Sequence, residues 1–316
     1  MSALRVSAPA STANLGSGFD TVALALDLRM TAEVRELPPG ASSAWSYGGA
    51  HAPTHDGLRG CVEAGIVRIA PDAPPLAIAL DNAIPLGAGL GSSAAAYALG
   101  AAIGSRFVDP APDDDVLALA VAELEGHPDN ALAAWYGGAA IAAVNEDGIT
   151  SARFAPPPVE AAVIVPQIVL STAEARALLP QAYPRADVVY NVQRAALLAA
   201  ALASGRIDLL ATAMQDRLHQ PYRAGLVPGF DEIVALEDPA LLGVALSGAG
   251  PSILALARSD VRRIGARIAS IFARRGLASN VLTPTLSSDG VRIATAQEAG
   301  QALRRGAAEA GEGRGR

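Results

Sequence analysis

The 316-residue sequence contains no lysine, and all 24 of its cationic side chains are arginine. A lysine nucleophile, a Schiff-base lysine and the lysine of a P-loop are therefore excluded. Cysteine is almost as scarce: Cys61 stands alone, so an intramolecular disulfide and a cysteine-cluster metal site are excluded, and the thiol reads as a small buried apolar group. Long apolar runs are missing too. Hydrophobic residues make up 51% of the chain. Much of that is alanine, and no stretch reaches the roughly 18–20 charge-free apolar residues of a spanning helix. The opening "MSALRVSAPASTANLG" lacks a basic segment followed by a continuous apolar block, so no secretory signal is read. A cytoplasmic location without membrane partners is expected. Formal net charge is −7 and no basic run precedes the arginines of the last third, which argues against a nucleic-acid partner and toward small molecules.

The length favours two domains. "LRVSAPAS" and "TVALALDL" read as strands around a Gly/Ser/Asn turn, "MTAEVREL" as a third strand, and residues 38–60 as a loop. "CVEAGIVRIA" has helical spacing, "PPLAIALDNAI" reads as a strand, and helices are expected over 92–104 and in "PDDDVLALAVAELEG", whose acids cluster in the first turn. "GGAAIAAVNEDG" closes the first half as a hairpin strand. Three prolines in "FAPPPVEAAVIVP" mark a boundary, which we set between domains 1–152 and 153–316. The second half alternates helices and strands, an α+β pattern of helices over a small sheet. "GAAEAGEGRGR" at the end lacks large apolar residues and is expected to fray.

"PLGAGLGSSAAAYALGAAI", residues 85–103, puts a glycine-rich turn directly before a helix. Glycines let backbone approach a ligand, and a helix start presents unpaired N–H groups and a partial positive charge, which together attract phosphate. The same letters also serve as a tight strand-to-helix turn with Ser92 or Ser93 as N-cap. Neither the P-loop nor the GxGxxG dinucleotide fingerprint fits, because the first needs lysine and the second a different spacing.

"PLGAGLGSSAAA" resembles the signature of the GHMP kinases, and "VSAPASTANLGSGFDTVALAL" and "LSGAGPSILAL" resemble that family's first and third motifs, in the proper order. The resemblance implies a two-domain α+β fold, an N-terminal domain like ribosomal protein S5 domain 2 and a ferredoxin-like α/β-plait C-terminal domain, with the site in the cleft between them. It implies ATP bound along Pro85, Leu86, Gly87, Ala88, Gly89, Leu90, Gly91, Ser92, Ser93, Ala94 and Ala95.

"APASTANLGSGFD", "EGHPDN", "STAEARALLP" and "QPYRAGLVPGF" look most like the homoserine kinase branch. That branch phosphorylates the L-homoserine hydroxyl on the threonine pathway and is expected to be homodimeric. The likeness implies that Asp20 and Asn14 face the substrate ammonium and that Arg176 and Arg223 grip its carboxylate. Planar guanidinium suits two parallel bonds to a carboxylate. His127, Thr172 and Gly248 also fall on the substrate side. Ser93 and Glu125 match the pair that holds Mg2+, whose preference for hard oxygens they suit. Asn130 matches the residue beside the reacting hydroxyl. Asp129 could accept the proton, although "PDN" is also a natural turn. The adenine pocket departs from relatives, with Gly57 and Leu58 where Asn-Leu is often found. The rival readings are another small-alcohol kinase of the family, a catalytically silent nucleotide sensor and a structural interaction protein.

Overall fold

The computed structural model describes residues 4–52, 57–146 and 148–295. The tail expected to fray lies outside the described residues. The first half builds β1 (Leu4–Asn14), β2 (Gly18–Glu36), β3 (Ala44–Gly48), α1 (Gly57–Ile69), β4 (Leu76–Asn82) and α2 (Ser92–Gly104). It continues through α3 (Asp114–Glu125), α4 (Pro128–Tyr136), β5 (Ala139–Asn145) and β6 (Gly148–Phe154). The second half has β7 (Glu160–Pro166), α5 (Thr172–Ala177), α6 (Arg185–Ser204), α7 (Leu210–Ala213), α8 (Gln220–Arg223) and α9 (Phe230–Val234). It ends in β8 (Leu241–Leu246), β9 (Ile253–Ala257), α10 (Val261–Ala273), β10 (Ser279–Leu282) and β11 (Arg292–Thr295).

Among the described residues the first sheet runs β11-β1-β2-β4-β3, with β5 on the other part of β2 and β6 beyond it. The two strands expected over residues 21–37 are one, β2, and the physical reason is a bulge. Pairing with β1 shifts between Pro9/Ala10, which takes up the polar stretch around Asp27 and lets one strand pair with β5 at Val22–Leu24 and with β4 at Met30–Glu36. The expected loop over 38–60 contains β3, an edge strand parallel to β4. Its residues are intermediate or exposed, so no apolar alternation marks it.

The second sheet follows a β-α-β-β-α-β course with strand order β10-β7-β9-β8, that is fourth, first, third, second, all antiparallel. Its core packs Ile164, Leu246, Ile253, Ile264, Ile268 and Phe272. Helix α10 puts its apolar residues inward at helical spacing and its arginines outward.

Helix α2 carries no polar face to speak of. Ala94 to Ala96 and Ala98 to Gly104 are all buried, because β1, α1, α3 and α4 surround it. Small side chains suit such close approach, and they make α2 a rigid post with only its N-terminus open. No helix among the described residues is long and apolar enough to cross a membrane.

Candidate active site

A cavity of about 400 Å3 opens at that N-terminus. Its wall brings together Asn14, Asp20, Gly87, Gly89, Leu90, Gly91, Ser92, Ser93, Glu125, His127, Asn130, Thr172, Arg176, Arg223 and Gly248, all named from the sequence. Of the remaining stretch, Ala88, Ala94 and Ala95 are buried in the core behind the wall, and Pro85 and Leu86 lead into the turn without lining it. Tyr97, Asp129, Leu170, Ala249 and Gly250 also line the cavity. Tyr97 follows Ser93 by four residues on α2, a spacing that could have found it.

The turn before α2 is tied to the third motif. A Cβ on Gly89 would stand 2.2 Å from the Ser247 carbonyl oxygen, and one on Gly91 would stand 2.2 Å from Ser11 Oγ. No side chain fits at either position. The Ser247 hydroxyl lies 2.7 Å from the Gly89 carbonyl and 2.9 Å from the Thr12 hydroxyl, so all three motifs meet here. Gly91 is the N-cap, in the left-handed region, and no side chain caps the helix. The Ala95 N–H donates to the Gly91 carbonyl. By the geometry of a helix start, the N–H groups of Ser92, Ser93 and Ala94 have no partner inside the helix.

Ser93 turns elsewhere. Its Oγ donates to Glu125 Oε1 at 2.8 Å, joining the start of α2 to the end of α3. Burial pushes the Glu125 carboxyl up to about 7, with a contribution from Asp129, while the Ser93 hydrogen bond opposes the rise. One hydroxyl and one carboxylate are hard donors that suit Mg2+ completed by phosphate and water.

The stretch "PDN", for which a turn is the alternative reading, begins α4 after the N-cap His127, with Pro128 in its first turn where a missing N–H costs nothing. Asp129 is 2% exposed. Its Oδ1 accepts the Asn130 N–H at 2.7 Å. Burial lifts its carboxyl to about 7, Asp20 adds to the rise, and Arg176 opposes it. The Asn130 Oδ1 accepts from Ser11 Oγ at 2.8 Å, which fixes the amide. Half-burial, and then Arg176, lower the pKa of His127, so its ring is neutral at pH 7.

On the opposite wall Asn14 Nδ2 donates to the Gly248 carbonyl at 2.8 Å while its Oδ1 accepts the Asp20 N–H at 2.9 Å. Arg176 and Asp20 form an ion pair at 2.8 Å. Arg223 is 1% exposed, with Nε donating to the Ala175 carbonyl at 3.3 Å and Nη1 donating to His219 Nδ1 at 3.0 Å. His219, unremarked in the sequence, is fully buried and stacked on Phe19 at 5.0 Å. Its Nε2 lies 2.9 Å from the Gly16 carbonyl, so Nε2 carries the proton and Nδ1 is left to accept from Arg223. Burial lowers the His219 pKa and keeps the ring neutral.

The description GHMP kinases N terminal domain matches residues 59–138, and GHMP kinases C terminal matches residues 198–274. A homoserine kinase of Solibacter usitatus is 40% identical over 292 residues, spanning 91% of this chain and 96% of the relative. One of Deinococcus radiodurans is 38% identical over 296 residues, with 91% and 96% spanned. The crystal structure of homoserine kinase from Cytophaga hutchinsonii superposes with a TM-score of 0.78 at 26% identity, covering 93% of this chain and 98% of that one. The chain belongs to the homoserine kinase family of the GHMP kinases.

Proposed function

We propose that this protein transfers the γ-phosphoryl group of ATP to the side-chain hydroxyl of L-homoserine, giving O-phospho-L-homoserine for threonine biosynthesis. One observation carries the reading. A single cavity joins the glycine-rich start of α2 to the cluster of Asp20, Arg176 and Arg223. The first place suits a polyphosphate and the second an amino acid zwitterion. The glycine-rich turn and Asp20 come from the first half of the chain, and Arg176 and Arg223 from the second.

In this reading the N–H groups of Ser92, Ser93 and Ala94 bind the phosphates, and Ser93 and Glu125 would hold Mg2+. A cation held by these two residues would supply neutralising charge beside the transferring group. Asp20 and Asn14 bind the ammonium end, Arg176 and Arg223 the carboxylate, and His127 and Thr172 fill the substrate side. Asn130, fixed by Ser11, orients the hydroxyl. The homoserine hydroxyl oxygen forms the new bond to γ-phosphorus as the bond to ADP breaks, and the Asp129 carboxylate receives the hydroxyl proton. A carboxyl near neutrality suits that task, since the best base has a pKa close to the working pH. Alignment is the larger effect, worth about 7–11 kcal/mol of barrier against about 3–5 for proton transfer.

ADP release should be measured over L-homoserine, L-serine, L-threonine, mevalonate and shikimate. The expected result is the highest kcat/KM with L-homoserine. A preference for mevalonate or shikimate would assign another small-alcohol kinase. ATP binding with no acceptor-dependent release would leave a nucleotide sensor.

A further inference from the structure

Asp20 and Arg176, which the proposed function assigns to opposite ends of the amino acid, bind each other. Arg176 Nη1 donates to Asp20 Oδ2 at 3.0 Å and Nη2 to Oδ1 at 2.8 Å, so the fork engages both carboxylate oxygens. The contact spans the cavity from the start of β2 to α5. Asp20 is held from behind by Asn14, on a backbone with φ of 52°. Arg176 lies over the Phe19 ring at 5.8 Å, and its Nε is buried without a hydrogen-bond partner.

The surroundings make each ion depend on the other. Asp20 acts on the buried Asp129 as a like charge, and Arg176 acts on the buried Arg223 in the same way. Freeing Asp20 alone leaves a carboxylate exposed to Asp129, and freeing Arg176 alone leaves a guanidinium exposed to Arg223. A ligand with both charges avoids either outcome, because it replaces one ion pair with two and leaves the total charge of the site unchanged.

Resting on the homoserine reading, we propose that the Asp20–Arg176 ion pair is a charge latch, opened by a zwitterion and held shut against a singly charged ligand. The ammonium takes Asp20 while the carboxylate takes Arg176, whose unpartnered Nε offers a further donor. A hydroxy acid must strip Arg176 from Asp20 and gives nothing back to Asp20. An amino alcohol does the reverse. Discrimination against each therefore exceeds the loss of its missing contact.

The test is a gain of binding, read by calorimetry on the full chain with L-homoserine, 4-hydroxybutanoate and 3-aminopropan-1-ol. Asp20→Asn is nearly isosteric, and Asn tolerates positive φ. With contacts alone, Asp20→Asn should leave 4-hydroxybutanoate unaffected, since that ligand has no ammonium for Asp20. The latch predicts instead that this variant binds 4-hydroxybutanoate about threefold to tenfold more tightly than wild type does. Arg176→Gln should do the same for 3-aminopropan-1-ol, and both variants should weaken L-homoserine. Unchanged, weaker or undetectable binding of the analogues by their variants overturns the latch. Wild type that binds L-homoserine while the gains fail leaves the functional reading intact. Wild type that does not bind L-homoserine removes that reading and the latch with it.

Discussion

The hydroxyl of Ser93 and the carboxylate of Glu125 meet at 2.8 Å, so the first turn of α2 and the last residue of α3 share one polar contact at the mouth of the cavity. If this pair holds the cation, Ser93→Ala and Glu125→Gln should each lower kcat at least about tenfold and raise the Mg2+ concentration needed for half-maximal rate. Titrating Mg2+ in an ADP-release assay checks both. Wild-type magnesium demand in either variant would remove the assignment.

The same carboxyl affects stability. Its folded-state pKa of about 7 stands above the ordinary 4.5, so between those values the folded chain holds a proton that the unfolded chain has lost. Stability therefore falls as pH rises through that window. Glu125→Gln escapes the loss. Its Tm should exceed that of wild type at about pH 8, and the gap should narrow toward about pH 5, as thermal denaturation at the two pH values would show. An equal gap at both would mean that burial does not disfavour the charge.

Asp129 gives a second pH signature. A buried carboxyl near 7 that accepts the hydroxyl proton makes kcat/KM fall as pH drops below about 7, since protonation removes the acceptor. Asp129→Asn should lower kcat by about 100-fold or more and leave only the part of the acidic limb that Glu125, also near 7, contributes. Retained rate with an unchanged profile would leave hydroxyl alignment by Asn130 as sufficient.

Much of this was legible in the sequence, and the exceptions share a cause. Helix α2 could be read to its ends because its glycine turn and alanine run are local signals. The letters of the three motifs, which meet at the cavity, are local signals as well. Strand β3 escaped because its exposed residues carry no alternation, and α4 because the turn letters of "PDN" are also good helix-start letters. Strand β11 pairs with β1 from the far end of the chain, a contact no local pattern announces. The burial of Asp129 and the place of His219 likewise depend on packing between distant segments. His219 meets Gly16 across 203 residues.

His219 should act through Arg223. His219→Leu removes the acceptor for Arg223 Nη1, and losing such a charged hydrogen bond costs about 1.5–3 kcal/mol. The expected result is a KM for L-homoserine raised about tenfold or more, with kcat changed less and the KM for ATP unmoved. His219→Asn, which keeps an acceptor, should recover part of the loss. Equal damage to both KM values would mark a general packing defect instead.

The glycines before α2 should differ in tolerance. Gly89→Ala drives a methyl to 2.2 Å from the Ser247 carbonyl oxygen and should abolish ATP binding, whereas a Cβ on Gly87 meets nothing within 4 Å. At Gly87 the cost of alanine is the positive φ alone, about 1–2 kcal/mol. Calorimetry with Mg-ATP on the two variants separates close approach from backbone freedom. Similar affinities would show that the turn does not need its tight seat on the third motif.

The most direct measurement is the product itself. Full-length protein incubated with L-homoserine and Mg-ATP should release ADP in step with a phosphate monoester whose phosphorus couples to methylene protons in the 31P spectrum. ADP accompanied by inorganic phosphate alone, or by an acyl phosphate, would contradict transfer to the side-chain hydroxyl.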